Sequence, residues 1–110
     1  MASRFRVRWA DVAVVDLEEL LAHIAIDSPA NAERMLDQLE RRAATLESAP
    51  ARGRVVPELA QFGMRTWREL VIKPYRLIYR VEGHTVTVLA LFDGRRDVED
   101  LLLERLVRSP

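Results

Sequence analysis

Arginine offers more chemistry in this chain than any other residue type, and its placement is ordered. Arg76 and Arg80 stand four apart in an alternating run, Tyr75–Val81. As strand residues they point the same way, about 13 Å apart. Arg95 and Arg96 follow the next run, Thr85–Phe92, across a turn at Gly83-His84, and antiparallel pairing would carry them toward the first two. Guanidiniums gathered in this way clamp phosphate or carboxylate through bidentate hydrogen bonds. The alternative is that the same arginines pair across strands with Glu69, Glu82, Asp93 and Asp97. A guanidinium stays protonated, so it serves poorly as a general base. Arg76, Arg80, Arg95 and Arg96 are the candidate target-binding set, and binding is favoured over catalysis.

Other chemistry is scarce. The chain has no cysteine, which excludes disulfides, thiolate catalysis and Cys-based metal sites. His23 falls on the polar side of a helical pattern and His84 in a turn; neither belongs to a metal-ligand spacing. The serines lie at termini and helix ends, with no nucleophile elbow. The four glycines are isolated, so no phosphate-cradling loop or dinucleotide fingerprint is present. No metal and no cofactor are expected. A cleavage enzyme would need Glu69, Lys73, Tyr75 or Tyr79 to move a proton, and nothing in the spacing singles one out.

The elements that must position the arginines follow from periodicity. Arg4–Trp9 alternates, with Phe5, Val7 and Trp9 on one side and three arginines on the other, the pattern of a half-buried strand. Asp11 suits a helix N-cap, and Ala13, Leu17, Leu20, Leu21 and Ile24 form the stripe of the helix behind it. Ser28 caps a second helix with Pro29 at its first position. Its stripe is Ala32, Met35, Leu36, Leu39, Ala43 and Leu46, and it is expected to end near Ala49-Pro50. Ala51–Gly63 reads as a loop, and strand signals resume over Met64–Ile72. Thr85–Phe92 is apolar on both faces, as a central strand would be. Asp97 caps a last helix whose LLLERLV run is very apolar for an exposed tail. The expected fold is α+β, in the order β-α-α-β-β-β: an N-terminal strand and a helical hairpin packed on a mostly antiparallel sheet, closed by a short C-terminal helix.

At 110 residues this is one domain, 1–110. Its zero net charge is the sum of an acidic middle and basic flanks. Residues 1–10 carry +3, residues 11–49 carry −6 and residues 50–97 carry +4. No run is long and apolar enough for a membrane span or signal-peptide core, so the expected location is the cytoplasm.

Taken together, DVAVVDLEELLAHIA, SPANAERMLDQLERRAATLESAP, GRVVPEL, REL-VIKPYRLIYRVEGHTVTVLAL and the closing GRRD resemble the RelE/ParE superfamily of toxins from type II toxin–antitoxin modules. The resemblance covers nearly the whole chain. It implies a small toxin neutralised by a cognate antitoxin, which lays a helix and an extended segment over the hairpin and sheet edge. Leu101, Leu102, Leu106 and Val107 are the expected antitoxin contacts, together with the outer groove of the hairpin. In the ribonuclease branch, which cuts messenger RNA at the ribosome, the matching residues are Arg76 in PYRLIY and Arg96 in GRRD, with Arg68 the sole cation of WRELV. Trp67 and Glu69 stand where that branch has bases, and the segment after GRRD holds no tyrosine or histidine. The ParE branch, whose members inhibit DNA gyrase without catalytic residues of their own, is similar in its long hairpin, in GRVVPEL and in PYRLIYRV. Phe92-Asp93 replaces the histidine often found before GRRD. The expected function is a ParE-like gyrase inhibitor; the alternatives are a ribosome-dependent endoribonuclease and a non-toxic relative that only binds antitoxin.

Overall fold

A computed structural model describes residues 4–108, except the side chains of Val107 and Arg108. Strand β1 (Arg6–Trp9) turns Val7 and Trp9 inward, with Phe5 just before it, and leaves Arg4, Arg6 and Arg8 exposed. Helix α1 (Asp11–Asp27) is capped by Ala10, not by Asp11 as its sequence suggested. Asp11 sits in the first turn, where its charge faces the positive end of the helix dipole. Ser28 caps α2 (Pro29–Ala44) as expected: its Oγ accepts from Asn31 N at 3.2 Å. Helix α2 stops earlier than Ala49-Pro50. Thr45 Oγ1 donates to Arg42 O at 2.6 Å, and the chain tightens into a 3₁₀ turn, Thr45–Glu47.

The expected loop Ala51–Gly63 contains two short elements, β2 (Arg54–Val55) and the single-turn helix α3 (Pro57–Ala60). Neither is long enough to display a period. Strand β3 (Trp67–Ile72) begins three residues after Met64, and β4 (Tyr75–Glu82) and β5 (Thr85–Asp93) form the hairpin around Gly83. Gly83 has φ +57°, a conformation its missing Cβ makes easy. The sheet order is β1-β5-β4-β3-β2, antiparallel except for the parallel β1–β5 pair. Thus five strands form where four were expected. Strand β5 is interior, but β4 occupies the middle.

Each face of the sheet carries a hydrophobic cluster. On the first, Leu70, Ile72, Leu77, Tyr79, Val86 and Val88 meet Ala13, Leu39, Ala43 and Leu46 of the helical hairpin and its 3₁₀ turn. On the second, Trp67, Ile78, Leu89, Ala90 and Phe92 meet Val56 and Leu59 around α3, and Val98 and Leu102 of the last helix, α4 (Val98–Arg108). So α4 is no exposed tail; it is the third layer, and its apolar residues have a sheet to rest on. Full burial of a leucine contributes about 2–3 kcal/mol, and Leu102 is fully buried.

A bulge shapes the site end of the sheet. Ile78 pairs with Ala90 but Tyr79 with Val88, so Leu89 has no partner on β4. Leu89 and Ala90 both turn to the second face. The β1–β5 pairing also stops at Val88, leaving the rest of β5 without a neighbouring strand on that side.

Candidate functional site

Side chains take over where β1 ends. Asp16 of α1 accepts from Leu91 N at 3.1 Å, while Arg105 of α4 donates to Leu89 O at 3.1 Å. The two close the gap between them, with Arg105 Nη1 2.9 Å and Nη2 3.2 Å from the Asp16 carboxylate. This ion pair satisfies backbone groups that a strand would otherwise hold. Beside it opens a groove of about 540 Å³ between α1, the end of β5 and α4. Glu19, His23, Tyr75, Arg95, Arg96 and Leu101 are among its lining residues.

The cationic turn after β5 forms one wall. Asp93 accepts from both Arg95 N and Arg95 Nε at 2.9 Å, and from Arg95 Nη2 at 2.5 Å. These bonds, with the side-chain one foremost, pull the Asp93 carboxyl down from 3.8 to about 2. The Arg95 side chain nevertheless remains 78% exposed. Arg96 is exposed and, among the described residues, enters no salt bridge.

Arg76 has the opposite situation. It lies under α3 on the second face, 7% exposed, with its fork between two carboxylates. Nε donates to Glu69 Oε1 at 2.7 Å, Nη1 to Glu58 Oε2 at 2.7 Å and Nη2 to Glu58 Oε1 at 2.8 Å; Nη2 also contacts Glu69 Oε1. Arg54 Nε donates to the other Glu69 oxygen at 2.5 Å. Two guanidiniums and two carboxylates make a neutral cluster, in which Glu69 is 1% exposed. Hydrogen bonding to Arg76 holds the Glu58 carboxyl below its usual range, and Glu58 in turn raises Arg76. Arg76 is therefore not presented to solvent as an open clamp; the cross-strand pairing considered as the alternative is what forms.

The remaining expected residues scatter. Arg80 shares the second face with Arg76 but lies toward the other end of β4, its Nη2 2.6 Å from Glu82 and its guanidinium carbon 5.1 Å from the Trp67 ring centre. Arg68 pairs with Tyr79 on the first face and donates to Gly53 O at 2.7 Å. Tyr79 grips the same segment: its hydroxyl donates to Pro50 O at 2.8 Å and accepts from Gly53 N at 2.9 Å. Burial raises the Tyr79 pKa, so that hydroxyl is a structural donor. Arg68, Arg76 and Arg96 thus occupy three separate environments. Of the expected antitoxin contacts, Leu102 is in the core, Leu106 packs beside it and Leu101 lines the groove. The Val107 side chain lies outside the described residues. His23 and Tyr75, read separately as a surface histidine and a strand tyrosine, meet at the groove only because α1 crosses the end of the sheet. Among the described residues no group of acids and histidines is arranged to hold a metal, and no helix is long and apolar enough to cross a membrane.

The model of the ParE toxin of the type II toxin–antitoxin system, parDE, matches residues 7–98. The chain belongs to the ParE toxin family. Its fold is shared with solved relatives of low identity. A chain of the chromosomal ParDE system from P. aeruginosa superposes with a TM-score of 0.68 at 18% identity, covering 82% of this chain and 96% of that one. A chain of the RelBE2 toxin–antitoxin complex from Mycobacterium tuberculosis gives 0.61 at 24% identity, over 84% and 94% of the two chains. An arginine double mutant of the E. coli toxin RelE, in the free state, gives 0.62 at 16% identity, over 97% and 99%. No curated protein matches significantly. The span matched to the ParE family runs from β1 to the first residue of α4, so it includes the cationic turn and the Arg76 cluster.

Proposed function

We propose that this ParE-family toxin arrests its host by binding DNA gyrase and is silenced by a cognate antitoxin. The observation that carries this reading is the state of Arg76. A ribonuclease clamp needs that guanidinium free to meet phosphate, and here it is saturated by Glu58 and Glu69 in a buried, neutral cluster. Arg95 and Arg96 keep their exposure at the rim of the groove and form the target-facing surface. Inhibition by docking needs such a surface and no proton transfer. Antitoxin binding draws support from α1, which leaves Val12 and Val15 exposed beside Arg105 of α4 and Val14 exposed on another side of the helix. The P. aeruginosa and M. tuberculosis relatives come from toxin–antitoxin systems.

The ribonuclease reading keeps one specific observation in its favour: His23 and Tyr75, both capable of proton transfer, line the same groove as Arg96. Purified chain added to gyrase decides between the two. Loss of supercoiling with accumulation of cleaved DNA is expected, and primer extension on translated messages should show no new cuts. Message cutting that disappears in His23→Ala or Tyr75→Phe, with supercoiling unaffected, would replace the gyrase reading.

A further inference from the structure

The target site leaves unused Arg6 and Arg8 of β1 and, just before the strand, Arg4, which pairs with Glu47 Oε2 at 3.3 Å. Strand register places Arg6 and Arg8 in cross-strand rows on the second face of the sheet. One row runs Arg8–Thr87–Arg80–Trp67 and the next Arg6–Thr85–Glu82. With neighbouring strands about 4.8 Å apart and about 3.3 Å between residues, Arg6 and Arg8 stand within about 7 Å of each other and roughly 10 Å from Arg80. The apolar clusters under α3 and α4 include Ile78, Ala90 and Phe92 at the other end of these strands, so α3 and α4 cover that end, while Arg6 and Arg8 remain exposed. Arg8 Nη1 makes a single bond, 3.3 Å to Thr87 Oγ1, and Arg6 has no side-chain partner among the described residues. Arg80 is paired with Glu82, the one acid in the two rows.

We propose that this exposed part of the sheet is a docking surface for the phosphate backbone of double-stranded DNA. The surface is cationic, and Thr85 and Thr87 of β5 lie between its β1 and β4 side chains, which suits phosphate contacts made without reading bases. It offers no platform for unstacked bases: its one aromatic ring, Trp67, is 7% exposed and covered by the Arg80 guanidinium. Recognition of single strands depends on such platforms. The inference is independent of which target the Arg95–Arg96 turn engages, because the two surfaces lie at opposite ends of the β4–β5 hairpin.

The test is fluorescence anisotropy of a labelled random-sequence DNA duplex titrated with the full chain. Two freely charged contacts predict weak, sequence-independent binding, in the range of about 10⁻⁴–10⁻⁶ M, falling roughly tenfold between about 50 and 200 mM salt. Arg6→Ala/Arg8→Ala should remove most of that salt dependence, each arginine accounting for about one unit of the log–log slope. Arg6→Lys/Arg8→Lys should retain it, since a point charge suffices for phosphate. Circular dichroism identical to wild type confirms that the variants fold. Equal affinity and slope in the alanine variant would overturn the proposal, as would tighter binding to single-stranded RNA or displacement of the duplex by poly-glutamate of matched charge.

Discussion

Arg76 and Arg96 sit on either side of one β-hairpin end, and both belong to motifs that suggest anion binding. Arg76 points under α3 into two carboxylates, whereas Arg96 stays at the rim of a groove with no ion pair among the described residues. The contrast arises from packing. Gly94, at the start of the cationic turn, has no Cβ, and one built there would come within 3.0 Å of Arg76 Cδ. The turn therefore folds down over the stem of Arg76 and sends its own two arginines outward. Desolvation makes a lone buried charge untenable, so the inner arginine comes with Glu58, Glu69 and Arg54. Of the outer ones, Arg95 stays exposed while paired with Asp93, and Arg96 is exposed with no salt bridge among the described residues.

The sharpest way to break this comparison is to remove one member of the inner cluster. Glu69→Ala leaves Arg76 buried without one of its two partners and should cost about 3–5 kcal/mol in urea unfolding. A cost below about 1 kcal/mol would mean that the cluster behaves as a surface pair. Next is Leu102→Ala, expected to lose about 2–5 kcal/mol because the residue fills the core between sheet and α4. Leu101→Ala, at the groove, should stay within about 1 kcal/mol and so separates core from surface on a single helix.

Acid offers a gentler probe. The Glu58 pKa is lowered on folding by the hydrogen bonds from Arg76. The unfolded chain therefore binds more protons, and this contribution is complete above the ordinary carboxylate range and lost as pH falls through the lowered folded value. Wild type should lose urea midpoint with acid more steeply than Glu58→Gln; parallel curves would contradict the assignment. The smallest effect on stability is expected for Arg96→Ala, within about 0.5 kcal/mol. Its consequence should instead be relief of growth arrest with antitoxin binding intact. Equal arrest at matched protein levels would remove Arg96 from the target surface.

Much of the fold is legible in the sequence. Alternation in Tyr75–Val81 puts Arg76 and Arg80 on the same face, and Ser28-Pro29 marks the start of the second helix. These signals are local, and each is repeated over several residues. The two-residue β2 and four-residue α3 carry no such repetition, so they were invisible, and with them the helix that supplies Glu58. That omission is why Arg76 looked available. The LLLERLV run declared its apolarity, but whether sheet or partner would cover it depended on a second sheet face already rich in Ile78, Leu89 and Phe92.

By itself, then, the sequence determined the four longer strands, the helical hairpin and the resemblance to a toxin family, because backbone propensity and period act over neighbouring residues. Which arginines remain able to meet a partner was decided only in three dimensions. A guanidinium's availability depends on the carboxylates brought beside it, and Glu58 lies 18 residues from Arg76 along the chain. The groove likewise exists only once α1 and α4 close on the free end of β5, where Asp16 and Arg105 replace a missing strand.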